Sequence, residues 1–122
     1  MANAERLLDV LTFLEAHPQR HDQNFWLKET DSGTVGCIAG WTCLLSGYEP
    51  VLGVELDDGV TEFNQVYWVG DEARVPRCVL STARVLLGFD EDQADELFFA
   101  DYELDDLWDV VEEISDGAVT RS

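Results

Sequence analysis

The sequence predicts a mainly α domain of the α+β class, with five helices and one small β-hairpin in a single acidic globular unit spanning residues 1–122. Three observations carry this reading. At 122 residues the chain is one domain long and can bury roughly two-thirds of its unfolded surface. It is 46% apolar, with four Trp, six Phe and three Tyr as large anchors, which excludes disordered, collagen-like and coiled-coil classes. Apolar residues recur at helical spacing in five stretches, and only residues 51–69 read as β.

The first helix is expected over about Ala4–Ala16, capped by Asn3. Leu7, Leu8, Leu11 and Leu14 form its stripe, and Pro18 stops it. His17 to Lys28 reads as a polar connection with one helical turn that tucks in Phe25 and Trp26. Asp31 to Gly36 reads as a turn-rich loop. Cys37 to Ser46 is apolar nearly all round and predicts a central buried helix, closed by Gly47. Gly36, Ala39 and Gly40 lack bulk there, so another element can approach closely, Gly40 above all. Val51, Leu52, Val54 and Leu56 lead into Asp57-Asp58-Gly59, a hairpin signal, with Val66 to Val69 as the return strand. The third helix is expected from about Pro76 to Leu87, with Val79, Leu80, Ala83, Leu86 and Leu87 inward and Gly88 after its end. Asp90 caps a short helix through about Phe99, with Gln93 completing a capping box. The last helix runs from about Asp105 to Ser115 and ends at Gly117. Leu104, Leu107, Trp108, Val111 and Ile114 face inward, opposite Asp105, Asp106, Asp109, Glu112 and Glu113.

Charge is the outlier. Seven Lys and Arg stand against 26 Asp and Glu, a formal net charge of −19. Such a chain repels nucleic acid and anionic membranes, because phosphate binding needs cations. It favours a basic protein partner. No apolar run approaches the roughly 18 residues of a spanning helix. The first residues show no basic region leading into an apolar stretch, so no secretory signal is expected. Three scattered Cys suit a reducing cytoplasm. From Asp90 to Asp116 there are 13 acids in 27 residues and no Lys or Arg.

Several constellations could carry chemistry. Cys37 follows a glycine-rich loop at a helix start, where the helix dipole favours a thiolate. His21 and Asp22 lie upstream, so a Cys-dependent hydrolase using Cys37 with His21 is one reading; a small buried hydrophobe is the other. Cys37, Cys43, Cys78, His17 and His21 offer metal ligands. However, no Cys-x-x-Cys occurs, and a spacing of six turns Cys37 and Cys43 about 120° apart on a helix. Asp90 to Asp92 and Asp101 to Asp105 could attract calcium but lack the EF-hand Gly and Glu. Gly33 to Gly36 resembles an anion-binding loop without its Lys. No cofactor and no metal are expected.

The Gly33-Thr34-Val35-Gly36-Cys37-Ile38-Ala39-Gly40 run fits a Gly-Thr-x-x-Cys-x-Ala-Gly core helix. Ala83 to Phe89 fits Ala-x-x-Leu-Leu-Gly-Phe. The acidic Asp90 to Phe98 follows, and Leu104 to Leu107 closes the set as Leu-Asp-Asp-Leu. Together these resemble small acidic proteins of actinobacteriophages and actinobacteria, over about residues 4–115 with the hairpin region excepted. The resemblance implies a phage or actinobacterial source and no particular reaction.

The acidic face carries the functional expectation. Thirteen acids over a mostly helical contour of about 40 Å set one charge per about 3 Å, close to the phosphate spacing of about 3.4 Å along one DNA strand. The sequence therefore predicts a non-enzymatic cytoplasmic accessory protein that binds a basic protein, in the manner of a DNA mimic. Asp92, Asp95, Glu96, Asp105, Asp106, Asp109, Glu112 and Glu113 would form the partner-binding surface.

Overall fold

Helix α1 spans Ala4–Ala16 and lies where its apolar spacing put it. The structure is a computed structural model and describes residues 4–23, 25–31, 33–56, 59–98, 102–115, 117 and 119. The expected roles of Asn3, Asp57, Asp58, Phe99, Asp101 and Asp116 fall outside those residues. The buried stripe of α1 is Leu7, Val10, Leu11 and Leu14, an i, i+3, i+4, i+7 set. Leu8, expected inside, is turned to the flank and is exposed. After Pro18 the chain makes one 3₁₀ turn, Pro18–Arg20.

The expectation of one small hairpin is overturned. Among the described residues, five α-helices are joined by seven strands in two antiparallel sheets. Strand β1 (Leu27–Thr30) pairs with β2 (Gly33–Gly36). The segment expected to be a polar connection and a loop is thus a hairpin. Lys28, Glu29 and Thr30 hide it, because only Leu27 of this strand is buried and the alternation is too weak to read. Gly33, at φ +116°, supplies the turn conformation.

The 51–69 region also differs from the expected hairpin. Strand β3 (Tyr48–Val51) pairs with β6 (Gln65–Trp68), whereas β4 (Val54–Glu55) pairs with β5 (Thr61–Phe63). The chain leading up to Leu56 and the chain leaving Gly59 therefore each change sheet partway. On the outgoing side the change falls at Leu52, whose φ is +58°. Gly53 follows, and a Cβ there would lie 2.5 Å from Phe63 Cε1. On the return side it falls at Asn64. Four strands form one sheet in the order β2-β1-β5-β4. The other holds β3-β6-β7, where β7 is Arg77–Cys78.

Helix α3 (Val79–Leu87) begins later than expected, because Arg77 and Cys78 extend the second sheet opposite Val66 and Gln65. Its closure is as expected, with Gly88 at φ +70°. Helix α4 (Glu91–Leu97) carries the expected capping box, Asp90 accepting from Gln93 N–H at 2.8 Å and Gln93 accepting from Asp90 N–H at 3.1 Å. Helix α5 spans Leu104–Ile114.

Helix α2 (Ile38–Leu45) is central, packed by α1, α3, β2 and β3. Ile38 to Cys43 are all buried. A Cβ on Gly40 would meet Trp26 O at 1.9 Å and Leu27 Cγ at 2.7 Å, so the start of β1 presses directly on the helix backbone. This is the close approach that the missing side chain predicted.

Candidate functional site

The acidic surface is built on two helices whose inner faces fix their outer ones. Helix α4 buries Ala94 and Leu97. Helix α5 buries Leu107, Trp108, Val110 and Val111. The two helices pack on each other, and α5 also packs on α1. With those stripes inward, helical geometry leaves Asp92, Asp95 and Glu96 exposed on α4, and Asp105, Asp106, Asp109, Glu112 and Glu113 exposed on α5. All eight expected residues therefore reach solvent.

They are not equivalent. Asp109, Glu112 and Glu113 line, with Gly117, a shallow and nearly flat depression at the end of α5. Three carboxylates on neighbouring helical positions repel one another, and a basic protein surface brought against them relieves the repulsion. Asp106 has a second role, since its Oδ2 accepts from Glu103 N–H at 3.0 Å, which caps the helix that presents the others. Asp92 sits in the first turn of α4, and Asp105 and Asp106 in the first turn of α5, where negative charge offsets the positive helix start. Several cationic side chains are engaged elsewhere. Lys28 pairs with Asp22 at 2.8 Å, Arg74 lies over the Tyr67 ring, and Arg84 donates to Phe89 O.

Cys37 and His21 have a different setting from the one a nucleophile needs. Cys37 is the N-cap of α2 and is buried. Burial pushes its thiol up to about 11, against the lowering effect of the backbone N–H groups of Gly40 and Ala39. The helix-start effect anticipated from the sequence is present, and desolvation exceeds it. The thiol donates to Trp26 O at 3.7 Å. The His21 ring is hydrogen-bonded through Nε2 to Gln23 Oε1 at 2.9 Å. The arrangement holds the sulfur protonated and gives the imidazole a structural partner.

The remaining constellations are dispersed. Cys43 is buried, its thiol raised to about 12 chiefly by burial, and Cys78 is exposed. His17 packs on the Phe13 ring at 4.8 Å. Among the described residues no group of three or more His, Cys, Asp or Glu is placed to hold a metal ion. Gly33 to Gly36 form a strand whose residues pair with β1, and Arg20 donates to Thr34 O. That segment is not the phosphate-cradling loop it resembles.

Gln23 is the residue that sequence reasoning missed. It is buried, with Oε1 accepting from Ile38 N–H at 3.2 Å and Nε2 donating to Leu97 O at 3.2 Å. One amide thus ties the start of α2 to the end of α4. A glutamine inside a polar run carries no signal of burial.

No known family model, curated protein or solved structure matches the chain. Among the described residues no helix is long and apolar enough to cross a membrane.

Proposed function

We propose that the protein is a non-enzymatic accessory factor that captures a basic protein partner through the carboxylates of α4 and α5. The observation that carries this reading is the exposure of Asp109, Glu112 and Glu113 side by side around one shallow depression, on a helix whose opposite side is committed to the core. Asp92, Asp95, Glu96, Asp105 and Asp106 extend the same field. The acids lie on two helices packed together and not along one line of about 40 Å, so the density of carboxylates, and not their linear spacing, favours a partner with a basic, phosphate-binding surface. A cytoplasmic setting in an actinobacterial or phage-infected cell follows from the resemblance of the core-helix motif and from the unpaired thiols.

The test is affinity capture on the immobilised wild-type protein and on the Asp105→Asn, Asp106→Asn, Asp109→Asn, Glu112→Gln variant. The wild type retains a basic protein at about 50 mM salt and loses it steeply towards about 300 mM, because charge-steered association is screened. The variant retains none. A partner held equally by both proteins, or held regardless of salt, removes the acidic face from the account.

A further inference from the structure

The two sheets have four edges, and three of them are blunted. At β2, Asp22 N–H donates to Gly36 O at 2.9 Å, so the chain covers its own edge. Strand β3 carries Pro50, which has no N–H to offer. Strand β7 runs straight into α3 and packs against that helix. The fourth edge, β4, has β5 on one side and no described strand on the other.

Its main chain is ready for a partner. Val54 and Glu55 pair with Glu62 and Thr61, and Leu56 N–H donates to Val60 O at 2.7 Å. In an antiparallel ladder, alternate residues turn their polar groups to opposite sides. The groups of Val54 and Leu56 therefore face β5, and the N–H and C=O of Glu55 face outward. The side chains agree with this. Val54 is 63% exposed and Leu56 is 40% exposed, at alternate positions that place apolar groups along one side of the edge. Glu55 lies between them and turns its side chain to the other face of the sheet.

We propose that β4 is an augmentation edge that takes up an extended segment of a basic partner protein in which apolar residues alternate with Lys or Arg. The apolar residues lie beside Val54 and Leu56, the basic ones lie on the face of Glu55, and the partner's main chain pairs with Glu55. Charge decides against a second copy as the occupant. An antiparallel copy centred here sets Glu55 beside Glu55, and each chain carries −19. This surface is separate from the α4–α5 carboxylates and stands without them.

The probe is a fluorescent synthetic peptide of sequence Lys-Val-Lys-Ile-Lys-Val-Lys, compared with the same composition with its lysines grouped at one end. Anisotropy is expected to show the alternating peptide bound about tenfold more tightly. Amide exchange at Glu55 slows when it binds. Glu55→Pro removes the outward N–H and leaves the bonds to β5, so it weakens binding about tenfold or more. Glu55→Gln weakens it less, and the variant neutralised on α5 keeps the preference for the alternating peptide. Equal affinity for both peptides, unchanged exchange at Glu55, or a dimer that protects Glu55 without peptide overturns the proposal. If Glu55→Pro does not fold, exchange in the wild type decides.

Discussion

Helices α2 and α5 belong to the same core but meet it in opposite ways. In α2 the six residues from Ile38 to Cys43 are all buried, and part of its packing surface is bare backbone at Gly40. In α5 the contacts come from Leu107, Trp108, Val110 and Val111, and five acids stand in solvent. A side chain added to α2 must displace main chain. A side chain changed at Asp109, Glu112 or Glu113 on the outer face of α5 displaces water. The fold therefore leaves the α5 surface free for recognition and gives α2 no such freedom.

The strongest way to break this contrast is Gly40→Ala. Its Cβ would stand 1.9 Å from Trp26 O, and a carbonyl on a paired segment cannot rotate away as a side-chain tip can. The variant is expected to lose about 3 kcal/mol or more in urea unfolding. A loss under about 0.5 kcal/mol would show that β1 does not bear on α2.

Gln23→Ala comes next. It strands the buried Ile38 N–H and Leu97 C=O, at about 1–3 kcal/mol for each group left unsatisfied. Hydrogen exchange should quicken at Ile38. Unchanged exchange there would mean that water replaces the amide.

The thiols give a pH signature. Cys37 and Cys43 start from an ordinary value of 9.0 and are raised to about 11 and about 12. Below pH 9 both are protonated, folded or unfolded, and their contribution to stability is fully present. Above it the unfolded thiols ionise first, so stability falls as pH rises, by about 1.4 kcal/mol per unit for each thiol. The fall due to Cys37 levels off beyond about pH 11. Chemical denaturation between pH 9 and 11 should show a shallower slope for Cys37→Ala, and an equal slope would place that thiol in contact with solvent.

The same contrast explains what the sequence made legible. Helices α1, α4 and α5 have one wet face and one dry face, so their periodicity was readable, and Asp90 with Gln93 marked a start. Helix α2 was legible as buried because it is apolar all round. The sheets were not. Leu27 is the only buried residue in β1 and Val66 the only one in β6, too few for an alternating pattern. The corner at Leu52 relies on a backbone conformation for which leucine gives no hint. The acids of α5 were legible as exposed because Leu107, Trp108 and Val111 fix the other side. Cys37 was placed correctly at a helix start, but the depth of its burial comes from the surrounding elements.

The smallest expected effect on stability accompanies the largest expected effect on binding, and one measurement on one variant tests both. The protein with Asp105→Asn, Asp106→Asn, Asp109→Asn and Glu112→Gln is titrated with urea and, in parallel, assayed for capture of the wild type's basic partner. The account predicts an unfolding free energy within about 1 kcal/mol of wild type, since Asp106→Asn keeps an oxygen to accept from Glu103 N–H and the lost charges at the helix start cost no more than that, together with complete loss of capture. A variant that folds as well as wild type and still holds the partner would contradict it.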